Sequence, residues 1–420
     1  MRRRHGALLA SAALLLLQAA AAQDHDLRDL ITTKSGKELR GRVATPFARD
    51  TIALQQGGKR MRVERSDIAS MDTVADRLAE FLRRRQQFVD KDAAHAPLYE
   101  WAKSRGLDRM ADLHAMERCI ADDHGFGHEA LGHQKRGGEW LWPHAGKQRT
   151  LAQLEKALAD EPLTLTGERF AVRIDGNLRG GIHALFDLER MGVCFMAECG
   201  ESIGLSEALQ PVLVDIRSST ARFQKWGFKP SPWYEPPPHG DVGRTFYSSP
   251  MQARPQRLFF TGAHGLLYRT LIGQTNSPDD RDRVCTWLEI GLPMHFEMTM
   301  QGDAGRAEPG DGRAQNLWAA QAMTFDVDLA RMLNEPMFGG YYLTDDSRTQ
   351  ANWAVASMFA HWLMQADNVP ATRERFLAYV RVALGDRRGN STTAWDSAMK
   401  QRITEFGAPF REWLQKTMTR

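Results

Sequence analysis

Short alternating runs at the start of the chain give way to long stretches of helical periodicity. Between residues 28 and 73 lie Leu30-Ile31-Thr32-Thr33, residues 39–45, residues 51–54, Met61-Arg62-Val63 and residues 68–71, punctuated by Gly and Asp. Runs of this length, rich in β-branched residues and bounded by turn formers, predict about five strands. Lys34-Ser35-Gly36-Lys37 and Gln56-Gly57-Gly58-Lys59 have the composition of hairpin turns. The spacing therefore predicts a small β-barrel over residues 23–73.

The next stretch, 74–135, reads as helical. Leu78, Phe81, Leu82 and Phe88 fall on one face, residues 98–102 and 107–120 continue the pattern, and Gly106 separates the last two as a helix stop. Residues 74–150 are thus expected to be a helical connector. Arg83-Arg84-Arg85 within it reads as a solvated face.

From 151 to 420 the periods are mixed. Residues 170–174 and 211–216 read as strands around a helix at 180–199, followed by a Pro-rich loop at 233–238 and an edge strand at 245–247. Helical stretches follow at 258–269, 285–297, 353–364 and 410–418, and the Gly- and Asp-rich segment 301–313 reads as a surface loop without the spacing of a calcium loop. The expected fold class is α+β: a barrel, a helical connector, and a mixed sheet packed on helices.

The first residues change the picture of where this fold works. Arg2, Arg3 and Arg4 precede an apolar run at 7–17 and the small residues Ala20-Ala21-Ala22, the three parts of a secretory signal peptide. Cleavage is expected after Ala22, giving an exported protein, periplasmic or extracellular; only if retained would residues 6–22 anchor it in a membrane. No Cys near that site suggests a lipid anchor. Of 55 Lys and Arg against 52 Asp and Glu, removal of Arg2, Arg3 and Arg4 leaves 52 of each sign. A near-neutral chain without a basic patch argues against a nucleic-acid partner. A free Gln23-Asp24-His25 terminus would place a His at the copper-binding third position, although N-terminal Gln tends to cyclise.

Four cysteines, Cys119, Cys194, Cys199 and Cys285, allow two disulfides by any of three pairings, or stand as buried thiols. None forms a CxxC, so neither a redox motif nor a cysteine-based zinc site is supported. No G-x-S-x-G elbow surrounds Ser218-Ser219 or another serine. His128-Glu129-Ala130-Leu131-Gly132-His133 nearly spells HExxH, but its histidines are five apart. On a continuous helix they would lie roughly 140° apart, so His124, His128 and His133 read as capping and packing residues.

Three resemblances follow. The segment 36–43 with Ser66-Asp67-Ile68-Ala69-Ser70-Met71 resembles the SH3-like or Sm-like barrels of exported bacterial proteins, which bind peptides, glycans or other domains, or act as spacers. Residues 101–140 resemble a single helical hairpin related to tetratricopeptide repeats, implying a connecting role. The order strand, helix, strand, His-bearing helix, then Trp287-Leu288-Glu289-Ile290-Gly291-Leu292 resembles the gluzincin metallopeptidase core over residues 151–420. In active members HExxH supplies two zinc ligands and a general base, and W-x-x-E-G-L supplies the third ligand.

Laid on that pattern, His264 matches the first histidine, but Gly265 stands at the base, Tyr268 at the second histidine and Ile290 at the downstream glutamate. Glu289 lies one residue early, roughly 100° around the helix. The resemblance thus implies a noncatalytic, degenerate peptidase with no catalytic residues and no cofactor, which keeps its cleft as a binding surface for a protein or peptide partner or serves as an envelope scaffold. His264 and Tyr268 are expected to form a buried hydrogen-bonded pair. The alternative is an atypical metallohydrolase with zinc on a rebuilt His264, Glu289, His295 set.

Overall fold

The computed structural model describes residues 28–418 except 89–90, 123–124, 209, 218–233, 236–241, 245–255, 271–285, 302–307, 310–314, 325–327, 336–346, 366–371 and 386–390. The leader, His25, His124, Cys285, Ser218-Ser219, the expected edge strand at 245–247 and most of the 301–313 loop lie outside the described residues.

The first expectation is met at the level of strands. β1 (Asp29–Thr33), β2 (Glu38–Val43), β3 (Thr51–Gln56), β4 (Lys59–Glu64) and β5 (Ile68–Asp72) form one antiparallel sheet in the order β4-β3-β2-β1-β5. Gln56 pairs with Lys59 across Gly57 and Gly58, both at positive φ, as a two-residue hairpin demands. Among the described residues no pairing joins β4 to β5, so the sheet is open where a closed barrel was expected. Ile31, Val43, Ile52, Leu54 and Val63 form its own small core.

α1 (Val74–Phe88), α2 (His95–Ser104), α3 (Asp108–Asp122) and α4 (Gly125–Ala130) build the connector, with Gly106 at φ 70° between α2 and α3. The connector does not stay helical to its end. β6 (Gln134–Arg136), β7 (Glu139–His144) and β8 (Lys147–Arg149) make a three-stranded meander before α5 (Leu151–Ala157).

The second sheet has the order β12-β13-β11-β10-β9, from β9 (Leu163–Thr166), β10 (Phe170–Ile174), β11 (Val212–Ile216), β12 (Tyr234–Glu235) and β13 (Val242–Arg244). β10, β11 and β13 run parallel, and both edge strands run antiparallel. The long helix α6 (Leu178–Ile203) is the crossover between β10 and β11, the connection a parallel pair requires. α7 (Gln256–Thr270) and α8 (Thr286–Thr299) follow; β14 (Met300–Gln301) and β15 (Glu308–Pro309) pair within the stretch read as a loop. α9 (Gln315–Ala322), α10 (Leu329–Asn334), α11 (Ser347–Met364), α12 (Thr372–Gly385), α13 (Ser391–Met399) and α14 (Gly407–Met418) complete the chain. The molecule is therefore α+β.

One continuous apolar core runs from Leu78 in α1 to Leu414 in α14, so the connector and the C-terminal region are packed as one body. The first sheet docks on it through Phe47, which fills the space beside Gly200 of α6; a Cβ there would lie 2.3 Å from the Phe47 ring. Arg28 adds an ion pair to Glu168 at 2.8 Å, and the Arg42 guanidinium donates to the Ala208 carbonyl. No helix among the described residues is long and apolar enough to cross a membrane.

Candidate functional site

α7 and α8 are packed against each other in the core. Small residues set how closely each of them packs on its other neighbours. Gly262 of α7 sits against Leu188 and Met191 of α6, and Gly291 of α8 sits 2.6 Å, measured from an ideal Cβ, from the Ala356 carbonyl of α11. Helices this close leave no room for a solvent-filled groove at those points.

His264, Tyr268, Glu289 and Ile290 are all buried, Ile290 completely. The Tyr268 hydroxyl donates to the Glu289 carboxylate at 2.9 Å, while the His264 ring packs on Tyr268 at 4.9 Å and stacks on Phe260 at 5.6 Å. The expected pairing of His264 with Tyr268 is thus a ring contact, and the phenol bonds to Glu289 instead. Glu289 is not turned away from α7, as one residue of rotation suggested; its long side chain and the tyrosine span the gap between the helices together. Gly265, also buried, places no carboxylate beside His264.

The alternative ligand set is not brought together. His295 Nδ1 lies 3.0 Å from His361 Nδ1, and its Nε2 lies 3.2 Å from Glu198, which also receives Arg373 at 3.3 Å. Burial would raise the Glu198 carboxyl, but the bond from His295 and the charges of His295 and Arg373 hold it below its usual value. Burial, then the charge of His295, pushes His361 well below the usual imidazole range. His295 belongs to this chain of two buried histidines and a half-buried Glu198–Arg373 pair, which ties α6, α8, α11 and α12 together. Trp287 packs away from Tyr268, among Phe359, Phe376, Tyr379 and Trp395, and Met294 is buried.

Ligand atoms do converge elsewhere. Among the described residues the set of three or more Cys, His, Asp or Glu whose ligand atoms lie within 4.8 Å of one another is Cys119, His128 and His133. Cys119 and His128 are buried and His133 is half-buried. Cys119, like Cys194 and Cys199, is a thiol and not part of a disulfide. Burial pushes both the Cys194 and the Cys199 thiols up, so these two are inert core residues.

The helical argument against the histidines failed for a specific reason: α4 ends at Ala130. Gly132, at φ 65°, turns the chain back, and the His133 amide donates to the His128 carbonyl at 2.9 Å. His133 therefore folds over His128, with their Nδ1 atoms 2.8 Å apart. Gly127 brings α4 onto α3, since a Cβ there would lie 2.6 Å from the Ala115 carbonyl and 2.8 Å from Cys119 Sγ. Two tryptophans of β7 wall the group: Trp140 stacks on His128 at 4.5 Å and 4°, and Trp142 packs against His133 at 4.4 Å. Burial, then the neighbouring His128, lowers His133 to about 4. Spacing along the chain gave no sign of Cys119, which comes from a different helix; Gly127 and Gly132, each immediately before a histidine, were the available signal.

No family model, no curated protein and no solved structure matches this chain.

Proposed function

We propose that residues 151–420 are a noncatalytic, gluzincin-like domain, and that the chain works as an exported scaffold or binding protein for a peptide or protein in the envelope. The observation that carries this reading is the Tyr268–Glu289 hydrogen bond. It occupies both side chains that lie nearest the second and third ligand positions, leaving His264 as the one matching ligand. A catalytic zinc needs three protein ligands and a group that takes the proton from its bound water. With Gly265 at the base and Ile290 at the glutamate position, the residues do not fit that metal.

Supporting features are the mixed sheet with its crossover helix and the adjacency of α7 and α8, the arrangement the resemblance implies. The first sheet, its edges joined by a short 3-10 turn at Arg65–Asp67, is the part of the molecule outside the main core and so the natural second contact surface. We read it as an SH3-like module. A rebuilt metallohydrolase site is the weaker reading, because His295 is engaged by His361 and Glu198.

The test is the zinc content of residues 23–420, purified and dialysed at buffered low free zinc, beside that of the His264→Ala and Tyr268→Phe variants. The expected result is no zinc whose retention depends on His264, and no hydrolysis of a peptide library. Stoichiometric zinc lost in His264→Ala, with activity, would overturn the reading.

A further inference from the structure

We propose that Cys119, His128 and His133 form a zinc site, in which one thiolate and two imidazoles hold the ion and a fourth position is left for water or a further ligand. The inference does not rest on the gluzincin reading, since none of these residues belongs to α7 or α8.

Donor chemistry comes first. Thiolate sulfur with imidazole nitrogen is a zinc set, and three protein ligands leave one position for water or a further ligand. The geometry is close to complete: all three ligand atoms already lie within 4.8 Å of one another. The two Nδ1 atoms, 2.8 Å apart, face each other, and in a neutral pair one carries the proton that the other accepts. A tetrahedral zinc with bonds of about 2.0–2.1 Å separates two nitrogens by about 3.3 Å, so opening this contact by about half an ångström admits the ion in place of the proton. Binding would release that proton to solvent only if the pair carried an extra one; the neutral pair rearranges its tautomers, and the thiol releases its own proton.

The surroundings are those of a built site. His128 is held face to face by Trp140, whose other neighbour is the Lys135 ammonium at 5.1 Å. Gly127 and Gly132 are each required by the approach of the ligands, one by helix contact and one by a left-handed turn. The ion would fasten α3 to α4 and to the turn that starts the meander, adding to the Gly127 packing, the His133–His128 backbone bond and the ring contacts already at this corner.

The experiment loads the chelator-stripped chain with zinc, and separately with Co(II), at buffered free metal, and follows bound metal, thiolate-to-cobalt charge-transfer absorption and thermal midpoint. One equivalent of zinc and a charge-transfer band are expected for the wild type. Cys119→Ser should abolish the band, and His133→Ala, at a half-buried position that leaves the fold intact by circular dichroism, should weaken zinc more than about tenfold. His264→Ala should leave the metal in place, which separates this site from the one the proposed function concerns. Substoichiometric zinc in the wild type, or zinc equal to the wild type in Cys119→Ser and His133→Ala, would overturn the assignment.

Discussion

The α7–α8 region and the α3–α4 corner invert each other. The first carries the proposed metallopeptidase resemblance, yet the positions that resemblance assigns to ligands hold a tyrosine–glutamate bond and a buried isoleucine. The second has histidines at the wrong helical spacing, yet its Cys and two His converge. Spacing rules assume an unbroken helix. They hold through α7, which is continuous, and fail at α4, which stops between the two histidines. A motif is thus informative only as far as the element that carries it extends.

The comparison is broken most severely at its two glycines. Gly291→Val puts a branched side chain where an ideal Cβ already lies 2.6 Å from the Ala356 carbonyl and the Ala360 Cβ, neither of which can rotate away. A loss of about 3 kcal/mol in denaturant unfolding is expected. Gly127→Ala meets the Ala115 carbonyl in the same way and should cost about 1–3 kcal/mol. The two should differ in the second measurement: Gly127→Ala is expected to lose zinc, and Gly291→Val to keep it in whatever fraction stays folded. Loss of zinc in both would merge the two regions into one.

α6 is the wall shared by both regions, packing on α3 and on α7, and it carries a pH-sensitive group. Glu189 Oε1 accepts the amides of Arg169 and Phe170 at 2.8 and 3.0 Å. Burial pushes this carboxyl up from 4.5 to about 7, against those amides and the Arg169 charge, with Glu168 adding to the rise. In that window the folded chain keeps a proton that the unfolded chain has released. Stability from this group therefore falls as pH rises from 4.5 to about 7, by up to about 3 kcal/mol, and is constant above. Glu189→Gln, which retains an acceptor for both amides, should flatten that dependence in urea midpoints measured across the range. A variant with the wild-type slope would show that Glu189 is ionised in the fold. If α3 and α7 are one cooperative unit, probes in both should report the same midpoints at every pH.

Tyr268→Phe sharpens the α7–α8 side alone. It removes the donor to Glu289 and leaves a buried carboxylate short of a partner, at a cost of about 1–3 kcal/mol, with no effect on zinc. A neutral outcome would mean that the bond does not hold α7 to α8, and the argument for a filled site would weaken with it.

What the sequence disclosed follows from how each element is buried. β10, β11 and α6 were legible because apolar runs of strand and helix length lie between Gly and Pro breaks. The strands of the first sheet were legible too, but whether its edges meet depends on β4 and β5, whose residues are mostly polar or half-exposed and carry no pairing signal. The meander went unread because Gln134-Lys135-Arg136 and Lys147-Gln148-Arg149 have no apolar alternation, and only Trp142 of β7 is buried. At the corner, the distant Cys119 and the reversal at Gly132 are tertiary facts. Burial of Glu289 against Tyr268 was hidden likewise, because rotation about one helix says nothing of how far a long side chain reaches across to another.

The smallest expected effect concerns the aromatic wall. Trp140 is half-buried, so its removal should leave the fold intact, and its ring lies parallel to His128 at 4.5 Å. Such a stack contributes about 0.5–1.5 kcal/mol, which corresponds to a few-fold to about tenfold in an equilibrium constant. If its work is to hold the imidazole in the orientation a metal requires, Trp140→Ala should weaken zinc by that factor and leave the apo-protein's midpoint nearly unchanged. If the stack serves packing alone, the apo-protein should lose stability while zinc affinity stays at the wild-type value. The same pair of measurements on Phe260→Leu, which removes the ring stacked on His264, should show a change in stability only. The corner would then be the region whose aromatic neighbours tune a ligand, and the α7–α8 region the one whose aromatic neighbours fill a core.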